Sequence, residues 1–135
     1  MPWYQKTLSL RARKRGFHLV TSEVVSLLPE LSSVRRGILH LFIQHTSASL
    51  TINENADPSV QRDILYGLDK MAPERGDYRH GEGNSPAHIK SSLVGASATV
   101  IVEEGRLILG TWQSVFFCEF DGPRRRTVYV KFIPG

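Results

Sequence analysis

Between Ser47 and Asn53 apolar and polar residues alternate without a break. Ala48, Leu50 and Ile52 fall on one face; Ser47, Ser49, Thr51 and Asn53 fall on the other. A period of two marks a half-buried strand, because successive side chains of an extended chain leave on opposite sides. The period returns near the end, where Val128, Val130 and Phe132 alternate with Thr127, Tyr129 and Lys131. These two stretches commit much of the chain to a sheet with one dry face.

The remaining elements are read around them. Trp3 to Arg11 is a strand candidate, followed by a turn at Arg15-Gly16 and a short apolar piece, Phe17 to Val20. Thr21 or Ser22 is expected to cap a helix reaching Leu28, with Pro29 at its end. Ile38 to Ile43 is a near-continuous apolar run, the pattern of a strand covered on both faces. Asp57-Pro58 predicts a helix start, since aspartate caps well and proline suits the first helical position. Val60, Ile64, Leu68 and Met71 then recur at helical spacing. Pro73 to Asn84, rich in glycine and charge, reads as a loop. Ser85-Pro86 repeats the cap-plus-proline device, with Gly95 as the stop. Ala98, Val100 and Val102 begin another strand, and Glu104-Gly105 and Asp121-Gly122-Pro123 are turns. Leu107 to Phe120, interrupted near Gly110, is a strand pair or one bent strand. The fold class is α+β: a mainly antiparallel, sandwich-like sheet with two or three helices, in a single domain over residues 1–135.

Within that run, Val115 and Phe117 oppose Phe116 and Cys118, so the strand is apolar on both faces. Either it is central in its sheet or another subunit covers one face. The second reading is preferred here and predicts an oligomer. Trp112 fits a simple core position.

Composition narrows the function classes. A chain of 135 residues suits one core, burying roughly 65–70% of its unfolded surface without staples. The lone Cys118 allows no internal disulfide and rules out zinc-ribbon sites; in an apolar strand it reads as inert core. No signal-peptide pattern and no membrane-length apolar run is present, so a cytoplasmic location with no membrane partner is expected. No Gly-rich phosphate loop precedes a helix, which disfavours P-loop and Rossmann nucleotide sites. The net charge of +4 is concentrated in Arg11-Ala12-Arg13-Lys14-Arg15 and Arg124-Arg125-Arg126. It suits anionic ligands. The clusters lack interleaved aromatics, so a nucleic-acid partner is not expected.

Candidate site residues cluster at element ends. His18 and His40 sit in apolar strand patterns and read as packed or edge histidines. His45 ends an apolar strand beside Thr46-Ser47, where side chains reach a sheet rim. His80 lies in the charged loop. His88 falls in the first turn of the helix at Ser85, whose positive end favours a neutral imidazole. No His-x-His or His-x-x-x-His pair occurs, so a three-histidine site would be assembled from distant segments. Glu54 follows a core-facing row, so it is partly buried with a partner or lines a cavity. Asn53 and Asn55 flank it, and Asp57 doubles as helix cap. By parity Arg124 and Arg126 share the face of Val128 and Val130, suited to bidentate anion binding, while Arg125 points away.

Gln44-His45-Thr46-Ser47-Ala48-Ser49-Leu50, Asn53-Glu54-Asn55-Ala56-Asp57-Pro58, His88-Ile89-Lys90-Ser91-Ser92 and Gly110-Thr111-Trp112-Gln113 together resemble the YjbQ-like family, whose members are often labelled secondary thiamine-phosphate synthases. The resemblance runs from Trp3-Tyr4-Gln5 and Arg15-Gly16-Phe17-His18 to the last strand. It implies a β-rich sandwich with helices, a homotrimer, and a cleft containing histidines. By that likeness His45, His80 and His88 are the candidates for a metal or polar cluster, with zinc or magnesium as the divalent cofactor. Glu54, Asp57, Gln113 and Arg126 match family positions that complete the cleft. The label implies joining a pyrimidine diphosphate to a thiazole phosphate, with loss of pyrophosphate. Ser91, Ser92 and Arg126 are candidates for the thiazole phosphate. A three-histidine metal more naturally activates water or polarises a carbonyl, so site and label agree only loosely. A shorter loop before Asn84 and the Gly122-Pro123-Arg124-Arg125-Arg126 stretch depart from the family pattern at the pocket rim.

The resulting expectation is an enzyme acting on a phosphorylated small molecule. His45, Glu54 and Asp57 are its catalytic candidates. Thr46, Ser47, Asn55, Ser91, Ser92, Gln113, Arg124 and Arg126 are its substrate-binding candidates. The alternative is a non-catalytic module that binds an anionic metabolite.

Overall fold

The computed structural model describes residues 3–135. Its elements in chain order are β1 (Tyr4–Leu10), β2 (Gly16–Leu19), α1 (Thr21–Leu27), a 3₁₀ turn (Pro29–Ser33), β3 (Arg36–Ile43), β4 (Ala48–Glu54), α2 (Pro58–Met71), α3 (Ser85–Val94), β5 (Ser97–Glu103), β6 (Arg106–Leu107), β7 (Gln113–Glu119) and β8 (Arg126–Pro134). Two antiparallel sheets result. One has the order β1-β8-β3-β5-β6 and the other β2-β7-β4. The architecture is the expected α+β sandwich.

The main core lies between the sheets. Leu39, Leu41, Ile43, Val100, Val128, Val130 and Phe132 of the larger sheet meet Leu50, Val115 and Phe117 of the smaller one, and Val24 of α1 joins them. Leu50, Val128, Val130 and Phe132 are inward residues that the two period-two stretches selected. Burying each large side chain contributes about 1.5–3 kcal/mol. A second cluster lies on the other face of the smaller sheet. There Phe116, Cys118 and Phe120 pack against Leu68 of α2 and Ala87 of α3. Burial pushes the Cys118 thiol well above its ordinary range, as an inert core residue requires.

Several expectations are corrected. β7 is central in its sheet, and its second face is covered by this chain's own α2 and α3, not by another subunit. β3 is buried on one face only: Leu39, Leu41 and Ile43 are inside, while Ile38 and Phe42 are exposed. Trp112 and Met71 are also exposed; Met71 sits at the last position of α2, past its packed length. Neither Thr21 nor Ser22 caps α1. Val20 holds the cap position, and the Thr21 hydroxyl accepts from the Val115 N–H at 2.8 Å, tying the helix to β7. Ser85 is likewise inside α3. The cap position is Asn84, whose amide donates to Asp121 at 2.7 Å instead of capping.

Other local signals map directly. The Asp57 carboxylate accepts from the Ser59 N–H at 2.9 Å and Pro58 opens α2. Gly95 ends α3 at φ 105°, a backbone region that favours glycine. Glu104 and Gly105 both have positive φ and close the β5–β6 hairpin.

Candidate functional site

The segment Gln44–Ser47 carries the chain from β3 in one sheet to β4 in the other. His45 lies beside β8, and its Nε2 accepts from the Thr127 N–H at 3.0 Å. A ring nitrogen that accepts from an amide holds no proton, so the neutral ring carries its proton on Nδ1. Partial burial, followed by the Arg126 charge, holds the His45 pKa below its ordinary value, against a smaller opposite pull from Glu119.

The next residue meets α3. The His88 Nδ1 donates to the Thr46 carbonyl at 2.9 Å. A carbonyl can only accept, so this bond places the His88 proton on Nδ1 and the lone pair on Nε2. His45, Thr46, His88, Ser91, Ser92, Gly95 and Ala96 line an open cleft of about 460 Å³. Ser91 is buried and donates to the Ala48 carbonyl at 2.8 Å, while the Ser92 hydroxyl donates to the His88 carbonyl at 3.0 Å. His80 stands at the edge of His88, with ring centroids 5.4 Å apart.

Ser47 turns the other way. Its carbonyl and hydroxyl accept from Arg126 Nη2 at 3.3 and 3.1 Å. The same guanidinium grips Glu119 twice, at 2.9 and 2.5 Å, and Glu119 also accepts from the Asp121 N–H at 3.0 Å. Glu119 is 0% and Arg126 4% exposed. Every strong hydrogen bond of this pair is spent inside the protein, so Arg126 is not a free anion contact. Arg124 is exposed, and it too is engaged, with Asp121 at 2.7 Å.

The acidic candidates lie elsewhere. β4 separates its ends by about 20 Å at roughly 3.3 Å per residue. His45 precedes one end and Glu54 closes the other. Glu54 pairs across the sheet with Gln113, and the Asn55 N–H donates to the Trp112 carbonyl at 2.7 Å. The Gln113 amide oxygen accepts from the Gly110 N–H at 2.7 Å, holding its own turn. Asp57 serves α2, and the hydrogen bonds from Ser59 keep its carboxyl below the ordinary carboxylate range. One chain therefore brings together His45, Thr46, His80, His88, Ser91 and Ser92, and leaves Glu54, Asn55, Asp57 and Gln113 at the far end of β4.

The donor set fits a resident metal poorly within one chain. Nε2 of His45 is occupied by Thr127, and no group of three or more His, Cys, Asp or Glu side chains is placed to hold a metal ion among the described residues. Two other charged residues escaped the sequence reading. Glu119 was signalled by its place in the apolar run Phe116–Phe120, where a lone charge demands a partner. Lys90 is buried and pairs with Asp69 at 2.5 Å; its position on a helix with no marked apolar face gave no such signal.

Two antiparallel sheets, helices on the outer face of the smaller one and a histidine cleft at the crossover define a small single-domain α+β protein. The sequence pattern of the family described as UPF0047 protein YjbQ-like matches residues 6–135, and the chain belongs to that family. It is 51% identical over 130 residues to the UPF0047 protein YugU of Bacillus subtilis, covering 95% of this chain and 98% of the relative. Its identity to the UPF0047 protein YjbQ of Escherichia coli O157:H7 is 47% over 131 residues, covering 93% and 95%. A crystal structure of a conserved YjbQ/UPF0047 family protein from Clostridium acetobutylicum superposes with a TM-score of 0.88 at 52% identity, covering 95% of this chain and 99% of that one. A YjbQ-like protein of unknown function from Sulfolobus solfataricus gives 0.90 at 27% identity, covering 99% of both. Among the described residues no helix is long and apolar enough to cross a membrane.

Proposed function

We propose that the chain is a small enzyme acting on a phosphorylated small molecule in the His45–His88 cleft, with Nε2 of His88 as the proton-transferring atom. One observation carries this reading. The Thr46 carbonyl fixes the His88 proton on Nδ1, and Nε2 has no hydrogen-bond partner among the described residues. An imidazole with its tautomer set from behind takes a proton on the free nitrogen and returns it. The hydroxyl of Thr46 is the group that orients a ligand; those of Ser91 and Ser92 donate to the Ala48 and His88 carbonyls.

A zinc or magnesium ion at His80 and His88 would draw its remaining ligands from water, the substrate or a second protomer. The synthase chemistry implied by the family label asks for cations at a leaving pyrophosphate. The cleft lining has none, since Arg126 is held by Glu119 and Arg124 by Asp121. A hydrolytic or proton-transfer step suits the cleft better than a transferase step. The exposed Ile38 and Ile101, directly paired across β3 and β5, and the exposed Phe42 support a homo-oligomer, a trimer by the family resemblance. Such an assembly would offer the Glu54–Asp57 end of one chain to the cleft of another. A cytoplasmic location remains part of this reading.

Thermal unfolding with a panel of phosphorylated compounds, followed by turnover assays on any stabilising one, tests the proposal. Substitution His88→Gln is expected to abolish turnover while leaving the unliganded melting temperature in place. Full turnover in that variant overturns the reading. Ligand protection without turnover in the parent chain instead supports an anionic-metabolite binding module.

A further inference from the structure

The β1–β2 connection and the start of α2 wall an open groove of about 1140 Å³. Arg11, Arg13, Lys14 and Arg15 line it from the connection, and Arg62 from α2. Of the chain's 17 cationic and 13 acidic side chains, these five cations and one carboxylate, Glu23, belong to the groove. The rest of the chain is balanced, so the net charge of +4 resides here. Two of the five cations are paired locally. Arg13 pairs with Glu23 at 2.8 Å, and Arg15 reaches Glu74 and Asp121 at 3.4 Å. Arg11, Lys14 and Arg62 have no ion-pair partner among the described residues.

Size and layout describe the ligand. The groove exceeds the roughly 300–1,000 Å³ of small-molecule pockets. Arg11 to Arg15 lie on an irregular segment that spans up to about 13 Å when extended, a row longer than one pyrophosphate can fill. A concave basic groove of this kind tracks a flexible strand. The basic run itself carries no aromatics, and the Phe17 and Phe116 rings that line the groove pack on each other at 5.8 Å, so phosphate contacts dominate. We propose that this groove binds the phosphodiester backbone of a single-stranded nucleic acid, through phosphates and without reading base edges. It shares no lining residue with the His45–His88 cleft of the same chain, and the substitutions that test it leave the Glu54–Asp57 segment, whose Asn55 lines the groove, unchanged.

Fluorescence anisotropy with a labelled oligothymidylate of about 12 nucleotides tests the assignment. Affinity at about 50 mM salt is expected to fall about 50-fold by about 200 mM, the counterion release of about four phosphates. The double variant Arg11→Glu/Arg62→Glu should lose about tenfold or more in affinity and flatten the salt slope. Arg106→Glu, exposed on β6 outside the groove, should change neither. Melting curves establish that both variants are folded. Absence of binding at low salt, or an equal loss in Arg106→Glu, overturns the groove assignment. Displacement of the oligonucleotide by equimolar pyrophosphate overturns the strand, and reassigns the same cations to a free phosphate compound.

Discussion

The crossover Gln44–Ser47 feeds two polar clusters of opposite character. Ser47 turns inward to Arg126 and Glu119, where two charges and a hydroxyl satisfy one another in the dry interior. His45 and Thr46 turn outward to a cleft, where His88 keeps an unspent nitrogen. The inner cluster spends its charges on one another, whereas the outer one is held by the backbone and keeps a polar atom in reserve. Adjacent residues of one loop thus separate holding the fold from meeting a substrate.

The largest effect belongs to the inner cluster. Arg126→Met strands the Glu119 carboxylate in the interior and should cost about 3–5 kcal/mol in chemical denaturation. The double variant Glu119→Leu/Arg126→Met removes both charges and should recover most of that loss, because breaking a buried pair costs more than replacing it. A double variant no more stable than the single one would show that the pair contributes more than mutual neutralisation.

Ser91 lies on the boundary between the two clusters. Its hydroxyl donates to the Ala48 carbonyl and accepts from Ser49 at 3.3 Å, joining α3 to β4. Ser91→Ala should cost about 1–2 kcal/mol by leaving a buried carbonyl unpaired. An effect near zero in urea unfolding would place Ser91 with the functional cleft rather than the fold.

How much of this contrast was legible depends on how local each signal is. The Asp57-Pro58 helix start and the Gly95 stop needed only near neighbours, and each folds as read; the alternation at 47–53 gives the strand, but its polar face is covered, since Ser47 and Ser49 are buried against Arg126 and Ser91. The inner pair could have been read from parity, since Glu119 sits alone in an apolar run and Arg126 shares the face of Val128. The cleft could be read only in half. His45 and Glu54 are nine positions apart, but an intervening strand carries them to opposite ends of the sheet. Nor does spacing reveal that Thr127, far along the chain, occupies Nε2 of His45, since that contact exists only once β8 lies beside β3. Whether the second face of an apolar strand meets a helix or solvent is equally non-local. β7 and β3 both carry apolar runs and have opposite outcomes.

A smaller effect is confined to acid. Above about pH 6.5 the imidazole of His45 is neutral in the folded and unfolded chain alike, and folding is not linked to a proton there. As pH falls, the unfolded chain takes up a proton that the folded chain resists, because burial and the Arg126 charge disfavour the imidazolium. Stability should therefore decline from about pH 6.5 downward until the folded-state pKa is passed. His45→Gln can still accept from Thr127 and has nothing to titrate, so its denaturation midpoint should fall less steeply over that window. Parallel acid limbs for the two proteins would remove His45 from the linkage.

The smallest expected effect on stability is at His88, and it draws the comparison most sharply. The ring is only half buried, and its one hydrogen bond runs to a carbonyl at the cleft edge. In His88→Gln the side-chain amide can still donate to Thr46, so stability should stay within about 0.5 kcal/mol of the parent chain. The lost group is the free imidazole nitrogen that His88 offers to the cleft. If the two clusters divide holding from acting, this substitution should leave the denaturation curve in place and remove ligand stabilisation or turnover. A large loss of stability would make His88 a structural residue like Arg126, and the division between the two sides of the loop would fail.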